Sequence, residues 1–174
     1  MIFLIGSKLK NQIILRLDKN MNIEIERKFL IKDIPNKRKK TIHIKQYYLS
    51  INEKIVQRLR IFDNSKAILS FKENCSGLTR YEFEYEIPLK DANKIVEISN
   101  PISIEKNRHI VEYKSFDWEI DEFLGNNKGL LIAEIELKEE KQHIILPEWI
   151  DIEVTNEKKY YNYNLALNPY ISWK

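Results

Sequence analysis

The chain has 174 residues and a mass of 20.9 kDa, a length that points to one compact domain. Residues of the AVILMFWYC set make up 43% and charged residues 32%, which supplies a core and excludes a disordered chain. Lys and Arg number 29 against 26 Asp and Glu, a net charge of +3, too small an excess to imply a nucleic-acid partner by itself. The single cysteine, Cys75, excludes an internal disulfide framework and a cysteine-rich zinc site, and fits a reducing, cytoplasmic setting. No apolar run approaches the ~18 residues of a bilayer span, so no membrane partner is expected. With only 4 Gly and no G-x-G-x-x-G or Walker pattern, any bound phosphate must be held by side chains.

Residues 1–20 stand apart and read as an N-terminal extension upstream of a start at Met21, with an extra strand around Ile13 to Leu17 as the competing reading. Residues 21–174 form the domain. Along it, apolar residues recur with a period of two near 22–31, 41–51, 54–62, 66–73, 79–89, 102–113, 116–123, 130–138 and 149–155, the pattern of antiparallel strands. Turn chemistry separates them at Asn52-Glu53, Asp63-Asn64-Ser65, Cys75-Ser76-Gly77, Asn100-Pro101 and Gly125-Asn126-Asn127. Asp91 is placed to cap a helix through Ile95, Val96 and Ile98, and a second helical segment is predicted over 160–167, before Pro169. The fold is therefore expected to be mainly β, of α+β composition, with helices secondary.

The charges follow the strand period. In the first strand Glu24, Glu26 and Lys28 share one face while Ile25 and Phe29 take the other. Arg58 with Arg60, Arg80 with Glu82 and Glu84, Lys106 with Arg108, and Glu134 with Glu136 repeat the pattern, and Lys72 and Asp121 sit in similar runs. A sheet with one wet face alternates in the same way. The other reading is a barrel with a charged interior and an apolar exterior, whose mixed lumen implies an anion and cations bound together. In that case Arg58, Arg60, Lys72, Arg80, Lys106 and Arg108 supply donors for phosphate oxygens. Glu24, Glu26, Glu134 and Glu136 supply hard oxygen ligands for Mg²⁺ or Mn²⁺. These are the parts of a metal-dependent phosphohydrolase or phosphotransferase.

The same residues carry a resemblance. Glu24-Ile25-Glu26-Arg27-Lys28 resembles the E-x-E-x-K signature of the CYTH, or triphosphate tunnel metalloenzyme, superfamily. The likeness continues in order through Gln46-Tyr47-Tyr48-Leu49, Arg58-Leu59-Arg60, Phe71-Lys72, Gly77-Leu78-Thr79-Arg80, Lys106 with Arg108, Asp121-Glu122-Phe123, Ala133-Glu134-Ile135-Glu136-Leu137 and Glu153-Val154-Thr155. It implies an antiparallel barrel of about eight strands, closed as a tunnel or C-shaped, with flanking helices. It also implies a metal set of Glu24, Glu26, Glu134 and Glu136 joined by Asp121, with Glu82 and Glu84 as orienting groups. Lys28, Arg58, Arg60, Lys72, Arg80, Lys106 and Arg108 would grip the phosphates, with Lys28 and Lys106 nearest the chemistry. The short bacterial-type subgroup that the chain is similar to implies hydrolysis of tripolyphosphate to pyrophosphate and phosphate, with nucleoside triphosphates as secondary substrates. An adenylate cyclase making cyclic AMP is the alternative within the family; outside it stand a non-catalytic polyphosphate-binding module and a basic β-domain for RNA. No specific nucleic acid is expected, and a homodimer is the assembly entertained.

Other features read as structural. His43, His109 and His143 lack metal-ligand spacing, and Cys75 has no basic neighbour to activate it. The run Lys37-Arg38-Lys39-Lys40 reads as a solvated loop. Tyr160, Tyr161, Tyr163, Tyr170 and Trp173 read as a C-terminal segment packed over one barrel end rather than a base-stacking platform.

Overall fold

The computed structural model describes residues 23–74 and 79–173. Residues 1–20, the strand considered near Ile13 to Leu17, the start at Met21, and Cys75 with Gly77-Leu78 lie outside the described residues. In chain order the elements are β1 (Ile23–Ile31), β2 (Lys40–Ile51), β3 (Ile55–Phe62), β4 (Lys66–Glu73), β5 (Thr79–Ile87), α1 (Leu89–Ser99), β6 (Ile102–Tyr113), β7 (Phe116–Phe123), β8 (Leu131–Glu136), β9 (Ile150–Glu153) and α2 (Asn162–Leu167).

The strands lie in the order β5-β4-β3-β2-β6-β7-β8-β1-β9, and a further pairing of β5 with β1 closes the first eight into an antiparallel barrel. β1 is the closing strand. One of its edges pairs with β8 from Glu26 to Leu30; the other pairs with β5 from Ile23 to Ile25 and then with β9 at Phe29 and Ile31. Tight connections help hold the register. Asp63 and Asn64, at φ 48° and 51°, turn β3 into β4 as their chemistry predicts. Lys114 and Ser115 make the two-residue β6–β7 turn at φ 49° and 65°, a left-handed backbone that neither residue type advertises.

The predicted first helix starts earlier than expected. It begins at Leu89 behind Pro88, so Asp91 lies inside its first turn and is not the cap. The fixed φ of proline starts the helix without a side-chain cap, and Asp91 complements the helix dipole instead. Asn100, left-handed at φ 40°, ends it.

Most of the buried apolar residues face outward and are covered, whereas Tyr81, Phe83 and Tyr85 on β5 stay exposed. Leu59, Ile61 and Ala67 lie beneath Ala92, Ile95 and Val96 of α1. Phe29, Val111, Trp118, Ile120, Ala133 and Ile135 form a second layer, with Trp149 packed edge-on to Trp118 at 5.3 Å between ring centres. At one end of the barrel the inward-facing row itself becomes apolar. Tyr48, Ile104, Phe123 and Ile132 meet Leu165 of α2, which is fully buried. The aromatic tail closes around this end, with Tyr160 and Tyr170 each packed edge-on to Trp173 at 5.3 Å.

Leu165 thus seals one end of the lumen. Leu165→Ala should cost about 2–5 kcal/mol, the range for emptying a buried leucine site, measured by the urea midpoint of unfolding.

Candidate active site

The alternation of β1 turns Glu24, Glu26 and Lys28 inward and leaves Arg27 outside, where it binds Glu153 of β9 through Nε at 2.9 Å and Nη2 at 2.5 Å. The Glu153-Val154-Thr155 segment works on the backbone of β1. The Lys28 N–H donates to Thr155 Oγ1 at 3.1 Å, and the Val154 N–H donates to the Lys28 carbonyl at 2.8 Å. This segment therefore fixes the main chain beneath Lys28 and does not enter the lumen.

Inside, the side chains from the other strands meet in one network of opposite charges. The Lys28 ammonium is held by Glu26 and Glu134. Glu134 also accepts from Arg108 Nη2 at 2.6 Å, and Arg108 makes two 2.7 Å bonds to Asp121 and one to Glu119. Lys106 lies deepest, 2% exposed, on the fully buried Asp121. On the opposite wall Glu24 receives Lys72 and, at 3.1 Å, Arg80 Nε, while Arg80 Nη2 is 3.7 Å from Glu26. Arg58 binds Glu82 and, at 2.9 Å, Ser70 Oγ; Lys72 is 3.2 Å from Glu82, and Arg60 binds Glu84. Glu136 faces Glu26 across the β1–β8 pairing and lines the same cavity of about 1050 Å³ as Glu24, Glu26, Arg58, Arg60 and Glu134. Every site residue expected from the sequence is in this network or on this cavity wall.

The buried charges perturb one another. Burial raises the Glu134 carboxyl, but Lys28, Arg108 and Lys106 outweigh it and hold the group well below the usual range. Burial opposes charge on Lys28 as well, yet Glu134 and Glu26 raise its ammonium above the ordinary value. Lys106 goes the other way, because burial and the neighbouring Arg108 exceed the pull of Asp121. Burial and Arg58 push the Arg60 guanidinium down to about 10. Arg60 Nε is buried and makes no hydrogen bond among the described residues, so this donor can take an incoming acceptor without giving up an existing partner.

Sequence reasoning missed Glu119, which lines the cavity and pairs with Arg108; its inward parity with Asp121 was the available signal. It also missed that Gln46 and Tyr48, almost fully buried, belong to the inward row of β2 opposite Arg60 and Arg58, with Gln46 Nε2 donating to the Tyr48 hydroxyl at 2.5 Å. Neutral side chains gave no charge pattern to read. Asp117 and Lys138 also line the cavity, and Asp117 accepts from Lys39 at 2.7 Å, so one lysine of the basic run is engaged at this wall. His43 on Glu105 and buried His109 between Thr41 and Glu122 have structural partners.

The donor chemistry suits a hard divalent cation, because Glu24, Glu26, Glu134, Glu136, Glu119 and Asp121 offer only carboxylate oxygen. Among the described residues no three such groups converge in a metal-holding arrangement. Glu26 and Glu134 come together on the Lys28 ammonium instead.

Comparison with known proteins decides the family. The model of the CYTH domain matches residues 22–165. The chain belongs to the CYTH domain family. An inorganic triphosphatase of Acetivibrio thermocellus is 42% identical over 157 residues, 88% of this chain and 99% of that protein. One from Nitrosomonas europaea is 31% identical over 149 residues, 83% of this chain and 97% of the relative. The crystal structure of the inorganic triphosphatase NE1496 superposes with a TM-score of 0.63 at 29% identity, covering 83% of this chain and 94% of that one.

The CYTH lumen should show its charge pairing in the pH dependence of stability. A depressed carboxyl stabilises the fold above its unfolded value, ordinarily 4.5, and that contribution is lost as pH falls through the lower folded value. Glu134→Gln should therefore melt below the wild type at neutral pH, keep that difference down to about pH 4.5, and lose it in stronger acid, as followed by thermal melts across a pH series.

Proposed function

We propose that this CYTH protein hydrolyses tripolyphosphate to pyrophosphate and phosphate with a divalent metal, Mg²⁺ or Mn²⁺, in a reducing, cytoplasmic setting. The observation that carries the reading is the meeting of Arg58, Arg60, Lys72, Arg80, Lys106 and Arg108 with a carboxylate set in a single lumen, where Arg60 Nε has a donor to give. Two relatives that match nearly their whole length to this chain are inorganic triphosphatases, which supports the same substrate here. The C-terminal aromatics pack on one another at the sealed end, in keeping with a substrate that has no ring to stack.

In this reading the basic side chains bind the phosphate chain and hold it in line for attack by water on a terminal phosphorus. The bond from that phosphorus to its bridging oxygen breaks, and pyrophosphate leaves. Arg58 and Arg60 hold the equatorial and leaving oxygens through guanidinium donors, and Lys106 and Arg108 neutralise charge from the facing wall. Glu24, Glu26, Glu134, Glu136 and Asp121 would hold the metal, which when bound neutralises phosphate charge and activates water. Glu82 and Glu84 orient Arg58 and Arg60.

Phosphate release from tripolyphosphate should require Mg²⁺ or Mn²⁺ and stop in EDTA, with no cyclic AMP formed from ATP. Arg60→Ala should lower kcat/KM by roughly 10- to 100-fold, the loss of a charged hydrogen bond of about 1.5–3 kcal/mol. Glu26→Gln should abolish turnover while the protein stays folded. Tight tripolyphosphate binding without phosphate release under either metal would overturn the enzymatic assignment.

A further inference from the structure

One ammonium of the lumen network lies between two of the carboxylates that would hold a metal. Lys28 Nζ is hydrogen-bonded to Oε1 of Glu26 and to Oε1 of Glu134, with the lysine side chain 8% exposed and the carboxylates 10% and 9%. Cross-strand geometry enforces this, because Lys28 stands opposite Glu134 in the β1–β8 register and Glu26 lies two residues back on the same face. The main chain of Lys28 is fixed from outside by Thr155 and Val154, so the side chain is delivered to this position by a clamped backbone.

We propose that Lys28 is a built-in surrogate cation: its ammonium holds Glu26 and Glu134 together in the metal-free barrel, competes with the divalent ion for them, and is released to phosphate when the ion binds. The inference rests on the functional reading above. Two carboxylates in a low-dielectric lumen repel unless a cation sits between them. An ion that takes oxygens of Glu26 and Glu134 removes the partners of the ammonium, which then lies buried and unpaired unless an anion reaches it. A phosphate oxygen supplies that partner. Metal and phosphate chain therefore bind more tightly together than apart, and linkage requires each to raise the affinity of the other by the same factor. Arg80, 3.7 Å from Glu26, and Arg108, 2.6 Å from Glu134, flank the position without bridging the pair.

The test is Mn²⁺ binding by the full chain without any phosphate, read from the electron paramagnetic resonance of free Mn²⁺, for wild type, Lys28→Met and Lys28→Arg. Lys28→Met should bind Mn²⁺ at least about 10-fold more tightly than wild type, within the 5- to 150-fold span of ordinary couplings, while Lys28→Arg stays near wild type. Lys28→Met should also melt lower than wild type in EDTA and recover more on adding Mn²⁺. Equal or weaker Mn²⁺ binding by folded Lys28→Met, or lost stability that Mn²⁺ does not restore, overturns the proposal. Should Lys28→Met fail to fold, ¹⁵N resonances of the wild-type lysine ammonium groups under Mg²⁺ titration decide: a shifted Lys28 signal supports the exchange and an unmoved one refutes it. A wild type that hydrolyses tripolyphosphate while Lys28→Met gains no Mn²⁺ affinity refutes only the surrogate role. A wild type that neither binds Mn²⁺ nor releases phosphate refutes the functional reading and the surrogate role with it.

Discussion

Closing eight strands into a barrel sends every second side chain into a confined lumen, and charges placed there must be matched because water cannot screen them as it does at a surface. The rest of the structure depends on that matching. Lys28 between Glu26 and Glu134, Lys106 on Asp121, and Arg108 shared by Asp121, Glu134 and Glu119 join β1, β6, β7 and β8 by side chains as well as by backbone. Lys72 and Arg80 on Glu24 do the same for the β4, β5 and β1 side, where the backbone pairing of β5 to β1 is only three residues long.

A matched lumen is stable, yet its groups keep a large capacity to exchange partners. A buried ion pair adds modest net stability against its desolvation, whereas removing one member leaves an uncompensated charge at a cost of about 3–5 kcal/mol. Such a network is best altered by substitution of one ion for another. A polyanion brings acceptors for the arginines and lysines, and a divalent cation brings charge for the carboxylates released. The proposed exchange of phosphate and metal would draw on the same electrostatics that hold the barrel together.

The remainder of the fold keeps this network in place. Two of the apolar clusters lie outside, under α1 and around Trp118 and Trp149, so the hydrophobic driving force acts largely on the wall of the barrel, while the interior is polar except at the end closed by Leu165. Thr155 and Val154 clamp the backbone at Lys28, and Arg27 with Glu153 ties β9 to the outside of β1. Leu165 and the C-terminal aromatics seal one end.

The amino-acid sequence by itself determined the strands, because a period of two is local and survives without tertiary context. It also determined which charges share a face, since parity along a strand decides that, and the ordered series from Glu24-Ile25-Glu26-Arg27-Lys28 to Glu134-Ile135-Glu136 was enough to read the family. Parity cannot say whether a charged face meets water or a lumen. That was decided by the β1–β5 pairing, which joins residues more than fifty positions apart in sequence. Tertiary structure alone also decided which acid meets which base, because Lys28 reaches Glu134 across 106 residues of chain and Arg58 reaches Glu82 across 24. The inward places of Gln46 and Tyr48, and the pairing of Glu119 with Arg108, came from barrel register in the same way. Local sequence sets the face of each side chain, and only closure of the sheet sets its neighbours.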